Sequence, residues 1–373
     1  LLKNSLYRFT IKKNIMKKLC LLIAVMASSA ILVKANVFTV SNNLAHPTAY
    51  TDIQSAINAA SKGDTVYVLG SITAYAGITV SKFINIFGPG FLPQKANSLT
   101  ATVNSIELKA GADSTVISGL IFPGIYFDGG VTWYNITIER NELTGELNLN
   151  NGTNTLNNMK VTSNFFTGTS FIATYVTTLN NFLVENNVMV YNSGPLIING
   201  FTSNTTIFKN NIFIDGVSGG NGTYASIQEL YQVTFSNNIF IGVPFNLNNN
   251  NSDNYCTFDH NLAYLVSGSY GSDPFAFGNN SSFGNIWDQN PTFTNVNLTN
   301  AQINNDYSLA AGSPSLTAAA DGGQQGVFGG DPNANWALAT MPSLPYIVSF
   351  SLNTATVNAG GSINATIISK SHN

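Results

Sequence analysis

The densest group of ionisable side chains in this 373-residue chain is Glu139, Arg140 and Glu142, followed by Glu146 and, farther along, Lys160. Carboxylates are hard oxygen ligands for Ca2+, and a basic side chain beside them can take a proton from carbon. Glu139, Arg140, Glu142 and Lys160 are therefore the candidates for acid–base catalysis. A solvated charge cluster is the competing reading of the same residues, and it is the favoured one. No metal-ligand spacing, phosphate-binding loop or nucleophile elbow occurs, so the sequence itself points to no cofactor.

Whether the candidates could meet depends on the elements that carry them. Six asparagines, Asn141, Asn164, Asn187, Asn211, Asn238 and Asn261, recur at intervals of 23, 23, 24, 27 and 23 residues. A period of this size marks a repeat architecture. Three residues before each stands an apolar side chain (Ile138, Val161, Val184, Phe208, Phe235, Phe258), and two after it another (Leu143, Phe166, Met189, Phe213, Phe240, Ala263). Period-two alternation sends these columns to one side of a strand, and sends Glu139, Thr162, Glu185, Lys209, Ser236 and Asp259 to the other. Strands so short cannot bury a face alone, so coils must stack into parallel sheets with rungs about 4.8 Å apart, and about eight or nine coils fit the chain. Each asparagine is expected where a strand turns, tolerating unusual backbone angles, with its amide bonded to the next coil as in a cross-β ladder. In this register Arg140 falls beside the turn, Lys160 lies two positions from the Glu139 column, and Glu185 and Lys209 are rung neighbours. His260, beside Asp259, falls in the turn column, which favours a turn-filling role over an acid–base pair; His46 and His372 lie far away.

The pattern resembles the right-handed parallel β-helix, or pectate-lyase-like, superfamily, and the flanking segments strengthen the resemblance. Residues 50–68 (YTDIQSAINAASKGDTVYV) read as a helix at about 52–61 that caps the first coil, with Thr51 and Gln54 at capping-box spacing and Gly63 to end it. Residues 290–293 (NPTF), 306–316 (DYSLAAGSPSL) and 326–329 (GVFG) are similar to the end of such helices. The resemblance implies an all-β fold, a right-handed parallel β-helix over residues 36–335. It also implies polysaccharide lyases or glycoside hydrolases that work from a groove along one face. A lyase of this kind would use Lys or Arg as base beside Ca2+-binding carboxylates. An inverting hydrolase would need clustered aspartates with a histidine, and no Asp-x-Asp, Asp-Asp or Gly-His-Gly occurs.

Residues 16–35 have the basic start, apolar core and small final residue of a bacterial signal peptide, with cleavage near Ala35 and residues 1–15 as an upstream extension. The expected mature chain is secreted or held at the cell surface of a Bacteroidetes-type bacterium, with no membrane span. Residues 36–373 carry 8 Lys and Arg against 18 Asp and Glu, a balance that argues against a nucleic-acid partner. Cys256 is the single cysteine there and falls in an apolar column, which suits packing and rules out an internal disulfide. The period lengthens over residues 215–227, where an added loop is expected. Residues 262–293 are rich in aromatics (Tyr264, Tyr270, Phe275, Phe277, Phe283, Trp287) that would stack on sugars if exposed and close the last coils if buried. Residues 341–373 read as a short β-hairpin extension. The function that weighs most is a monomer acting by surface contact, binding a polysaccharide or cell-surface glycan; a polysaccharide lyase or glycoside hydrolase is the alternative. Ice binding finds no Thr-x-Thr register in the outward columns.

Overall fold

The computed structural model describes residues 35–91, 99–149, 153–168, 170–172, 178–191, 197–199, 203, 205–215, 227–228, 230–243, 245, 255–266, 269–330, 336, 346–352, 356 and 362–370. The signal peptide expected at 1–35 and the loop expected at 215–227 fall almost wholly outside these residues.

Successive coils stack in register into an all-β parallel solenoid. Its main sheet has eleven parallel strands, running from Val37–Val40 and Thr65–Val68 through Thr137–Glu139, Lys160–Thr162 and Phe182–Glu185 to Ser281–Phe283. A second sheet has eight parallel strands, from Ile121–Phe122 through Glu142–Leu143 to Ile286–Trp287. Smaller parallel sheets complete the coils, among them Thr132–Tyr134, Thr155–Asn157 and Thr178–Asn180. The main sheet has eleven strands where eight or nine coils were expected, and Val37–Val40 and Ser281–Phe283 are the strands at its two ends. Ile138, Val161, Val184, Phe208, Phe235 and Phe258 form one inward column, fully buried. Within it the rings of Phe208, Phe235 and Phe258 lie stacked at centroid distances of 4.8 and 5.1 Å, so rung spacing and aromatic stacking coincide.

The asparagine ladder forms, and it is longer than its sequence signature. Each Nδ2 donates to the Oδ1 of the next coil: 3.2 Å for Asn141 to Asn164, 3.0 Å for Asn164 to Asn187 and for Asn187 to Asn211, 2.9 Å for Asn211 to Asn238 and for Asn238 to Asn261. Asn261 continues it to Asn285 at 3.1 Å, a seventh rung at the same period. The same Nδ2 also donates backward to a strand carbonyl, such as Ile138 from Asn164, and each Oδ1 accepts a second bond from a backbone N–H. One expectation fails: the ladder asparagines do not themselves take the unusual backbone angle. The residue before each does, with φ between +52° and +58° at Arg140, Ser163, Asn186, Asn210, Asn237 and His260. The left-handed residue makes the turn, and the asparagine beyond it is free to point its amide inward.

The capping helix is Ile53–Ala59, and its N-cap is Asp52, whose carboxylate accepts from Ser55 N at 2.8 Å. The Thr51–Gln54 box does not form because Gln54 is used elsewhere. Its Oε1 accepts from Thr79 N (2.7 Å) and its Nε2 donates to Thr79 O (3.1 Å), pinning the helix to the strand Ile78–Val80.

After the last parallel rung the chain folds back. Phe293–Asn295 pairs antiparallel with Asp306–Leu309, a 3-10 turn follows at Pro314–Leu316, and the next residues run as a strap across the turn column. Gln325 Nε2 donates to His260 O (2.6 Å), Gly326 N to Asn237 O (2.9 Å), and Asn186 Nδ2 to Val327 O and Gly329 O (2.8 and 3.1 Å). The strap explains why the second sheet is apolar on both faces. Its outward side chains Phe165, Val188, Ile212, Ile239 and Leu262 pack with Phe91, Tyr307, Val327 and Trp336 into a core separate from the solenoid interior. The expected C-terminal hairpin is present as Tyr346–Leu352 paired antiparallel with Ala365–Lys370.

Candidate functional site

The four charged candidates occupy different settings. Glu139 ends a main-sheet strand, with Ser118 and Thr162 as its rung neighbours. Lys160 pairs with Thr137 and Leu183 instead, two residues back along the strand. Arg140 is buried in the turn at φ +54°, with its N–H donating to Thr162 O. Glu142 belongs to the second sheet, between Ile121 and Phe165, where desolvation pushes its carboxyl above the usual carboxylate range. The fold thus distributes the cluster that looked densest in sequence over two sheets and the turn between them. Among the described residues no group of three or more His, Cys, Asp or Glu could hold a metal ion.

The remaining sequence candidates take the positions that the register implied. His260 takes the turn position, its Nδ1 2.7 Å from Asp259 Oδ1 and its ring laid against Gly284, where a Cβ would come within 2.5 Å of Nε2. Cys256 is buried in its column. Lys209 Nζ lies 3.9 Å from Glu185 Oε1, the rung pair that the register implied. Of the aromatics in 262–293, Phe275 is fully buried and Phe283 is 58 % exposed.

Two surface features escaped the sequence reading. The first is an ion-pair cluster on the early coils: Lys109 Nζ lies 2.5 Å from Glu107 and 3.1 Å from Asp128. Glu107 is rung neighbour to the exposed Tyr126. Hydrogen bonds that Lys109 donates to both carboxylates hold its pKa above the ordinary value, which makes this lysine poorly suited to act as a base. These coils lack the ladder asparagine, so the register used to find candidates did not reach them.

The second is a corner column at the start of the main-sheet strands: Ser114, Asn135, Asn158, Asn181, Thr205, Gln232 and Tyr255, each two residues before a strand position in register. All but Thr205 have positive φ, between +52° and +62°. Every member bears an uncharged hydrogen-bonding side chain. The amides form an outer ladder, with Asn158 Nδ2 donating to Asn135 Oδ1 (3.0 Å) and Asn181 Nδ2 to Asn158 Oδ1 (2.9 Å). Beside it Asn180 Nδ2 donates to Asn157 Oδ1 at 2.8 Å, and Thr132, Thr155 and Thr178 stack in the same three-stranded sheet. Exposed tyrosines stand at both ends: Tyr134 next to Asn135, and the Tyr231–Tyr255 pair, whose ring centroids are 5.8 Å apart. The 23-residue spacing of Asn135, Asn158 and Asn181 was visible, but the buried ladder of the same period masked it.

The fold and these surfaces define a parallel β-helix with a polar, uncharged corner column. No protein-family model and no curated protein matches the chain. Among solved structures it is similar to the crystal structure of the pectin methylesterase from Aspergillus niger in deglycosylated form, at 12% identity and a TM-score of 0.38, covering 77% of this chain and 94% of that chain. A likeness of that order adds nothing to the fold described above and bears on no activity.

Proposed function

We propose that this protein is a secreted or cell-surface β-helix that binds a carbohydrate by surface contact, without a bond-breaking step. The observation that carries the reading is the separation of Glu139, Arg140, Glu142 and Lys160 over two sheets and a buried turn. Acid–base catalysis needs its groups within hydrogen-bond reach of one reacting atom. Binding needs only a complementary surface, and exposed tyrosine rings beside amides and hydroxyls supply the apolar faces and paired donors and acceptors that polyhydroxy ligands use. The acidic balance of residues 36–373 leaves nucleic acid out as a partner.

The alternative, a polysaccharide lyase or hydrolase, is tested by incubating the protein with uronic-acid and neutral polysaccharides, with and without Ca2+. The contact reading expects retention on at least one polymer, no rise in ultraviolet absorbance and no new reducing ends. A Ca2+-dependent absorbance rise that disappears in Lys160→Ala would overturn it in favour of the lyase. Among the described residues no helix is long and apolar enough to cross a membrane.

A further inference from the structure

We infer that the corner column from Ser114 to Tyr255 is the binding track, and that its ligand is an uncharged polysaccharide chain laid along the solenoid axis; this inference rests on the contact reading above. Seven consecutive coils contribute to the column, and at about 4.8 Å per rung it runs for about 30 Å. That length suits an extended polymer better than a single sugar.

The side chains along the track are held ready. Each amide of the outer ladder has two N–H donors and two acceptor lone pairs. The bonds from Asn158 to Asn135 and from Asn181 to Asn158 engage one donor or one acceptor site per amide on each side, so further capacity at Asn158 remains at the exposed corner. Fixed amides lose little conformational freedom when a ligand arrives, and this pre-organisation favours binding. The left-handed backbone at Asn135, Asn158 and Asn181 sets the direction of each side chain in the same way, coil after coil. A polymer with a regular repeat meets a regular array.

Charge selects the class. The column itself is uncharged, its flanking charges include Asp113 at one end and Lys160 near the middle, and residues 36–373 are strongly acidic. A polyanion would meet a repulsive field with few cations to offset it, whereas a neutral chain would not. Tyr134 and the Tyr231–Tyr255 pair, each more than 40 % exposed, offer apolar platforms at the two ends of the track.

The test uses the full chain in pull-down and affinity electrophoresis against cellulose, chitin, xylan and mixed-linkage glucan as neutral polymers, and polygalacturonate and alginate as anionic ones. The variant Asn158→Gly/Asn181→Gly keeps the positive φ without strain and removes both amides; Tyr231→Ala removes one platform and is a second probe should the double variant fold poorly. The expected result is retention of the unaltered chain on a neutral polymer, with affinity at least tenfold lower in either variant and an unchanged thermal midpoint. Retention that both variants preserve would overturn the track while leaving surface contact intact. Retention on the anionic polymers alone would overturn the neutral class, and retention on none of the six would remove the contact reading together with the inference built on it.

Discussion

Truncating one buried ladder amide should cost several times more in the middle of the solenoid than at its end. Asn187 Oδ1 accepts from Asn164 N (2.8 Å) and from Asn164 Nδ2 (3.0 Å), while Asn187 Nδ2 donates to Val161 O (2.9 Å) and to Asn211 Oδ1 (3.0 Å). Asn187→Ala deletes these bonds and takes from the buried N–H of Asn164 the acceptor it has here. An orphaned buried polar group costs about 1–3 kcal/mol and each lost bond about 0.5–1.5 kcal/mol net, an additive ceiling of about 3–9 kcal/mol; losses within one network overlap, so a total in the lower part of that range, about 3–5 kcal/mol, is expected. Asn285 ends the ladder and is partly exposed: its Oδ1 accepts from Asn261 N and Nδ2 and its Nδ2 donates to Phe258 O and Ser282 Oγ, with no further ladder amide beyond it among the described residues. Water can replace what Asn285→Ala removes, and about 1–2 kcal/mol is expected there. Equilibrium denaturant unfolding, followed by two probes so that loss of two-state behaviour is seen, measures both variants. If Asn187→Ala lay within about 0.5 kcal/mol of the unaltered chain, or cost no more than Asn285→Ala, the account of the ladder as a source of stability would be wrong. Asn187→Asp should be worse at neutral pH, because a carboxylate there would face carbonyl and amide oxygens, and acid should partly rescue it.

Two further outcomes follow from local geometry. The folded-state pKa of Glu142 is raised by desolvation, so the folded chain binds this proton more tightly than the unfolded chain. Stability should then fall as pH rises from the unfolded carboxylate pKa through the higher folded one, and Glu142→Gln should flatten that step, as read from unfolding midpoints across acidic pH. Gly330 holds φ +73°, and a Cβ there would lie 2.0 Å from Asn210 Nδ2. Gly330→Ala should therefore loosen the strap at a cost of about 1–3 kcal/mol, with limited proteolysis cutting the strap before the coils.

The inward columns were legible in the sequence because a period of two within strands and a period near 23 between them leave few other ways to bury Ile138, Val161 and Val184 together. Positions of the nominated residues were legible for the same reason: the register already put Lys160 two positions from the Glu139 column, and in the structure it pairs with Thr137. What stayed hidden depends on contacts distant in sequence. The outward apolar residues Phe165, Val188 and Ile212 look like a strand with the wrong face until the strap is seen to cover them. Gln54 looked like a capping residue because nothing local indicates that Thr79 will compete for its amide. The corner column was overlooked because one conspicuous asparagine series drew the reading away from a second of equal period.

The strap gives this solenoid an order of assembly that its repeats alone would not impose. Stacked coils bond to their nearest neighbours and could form progressively as the chain emerges. Asn186, however, donates to carbonyls at Val327 and Gly329, 141 and 143 residues later. Until the residues from Phe293 to Trp336 exist, the outer face of the second sheet has little besides Phe91 to lie against it, and the growing chain carries an apolar stripe several coils long. Such a stripe invites association with other chains or with holding factors while synthesis continues. Closure of the strap is therefore a late, long-range step, and the slowest phase of refolding in a dilute chain should track the burial of Trp336 against Phe91, Phe165 and Tyr307 rather than the pairing of strands.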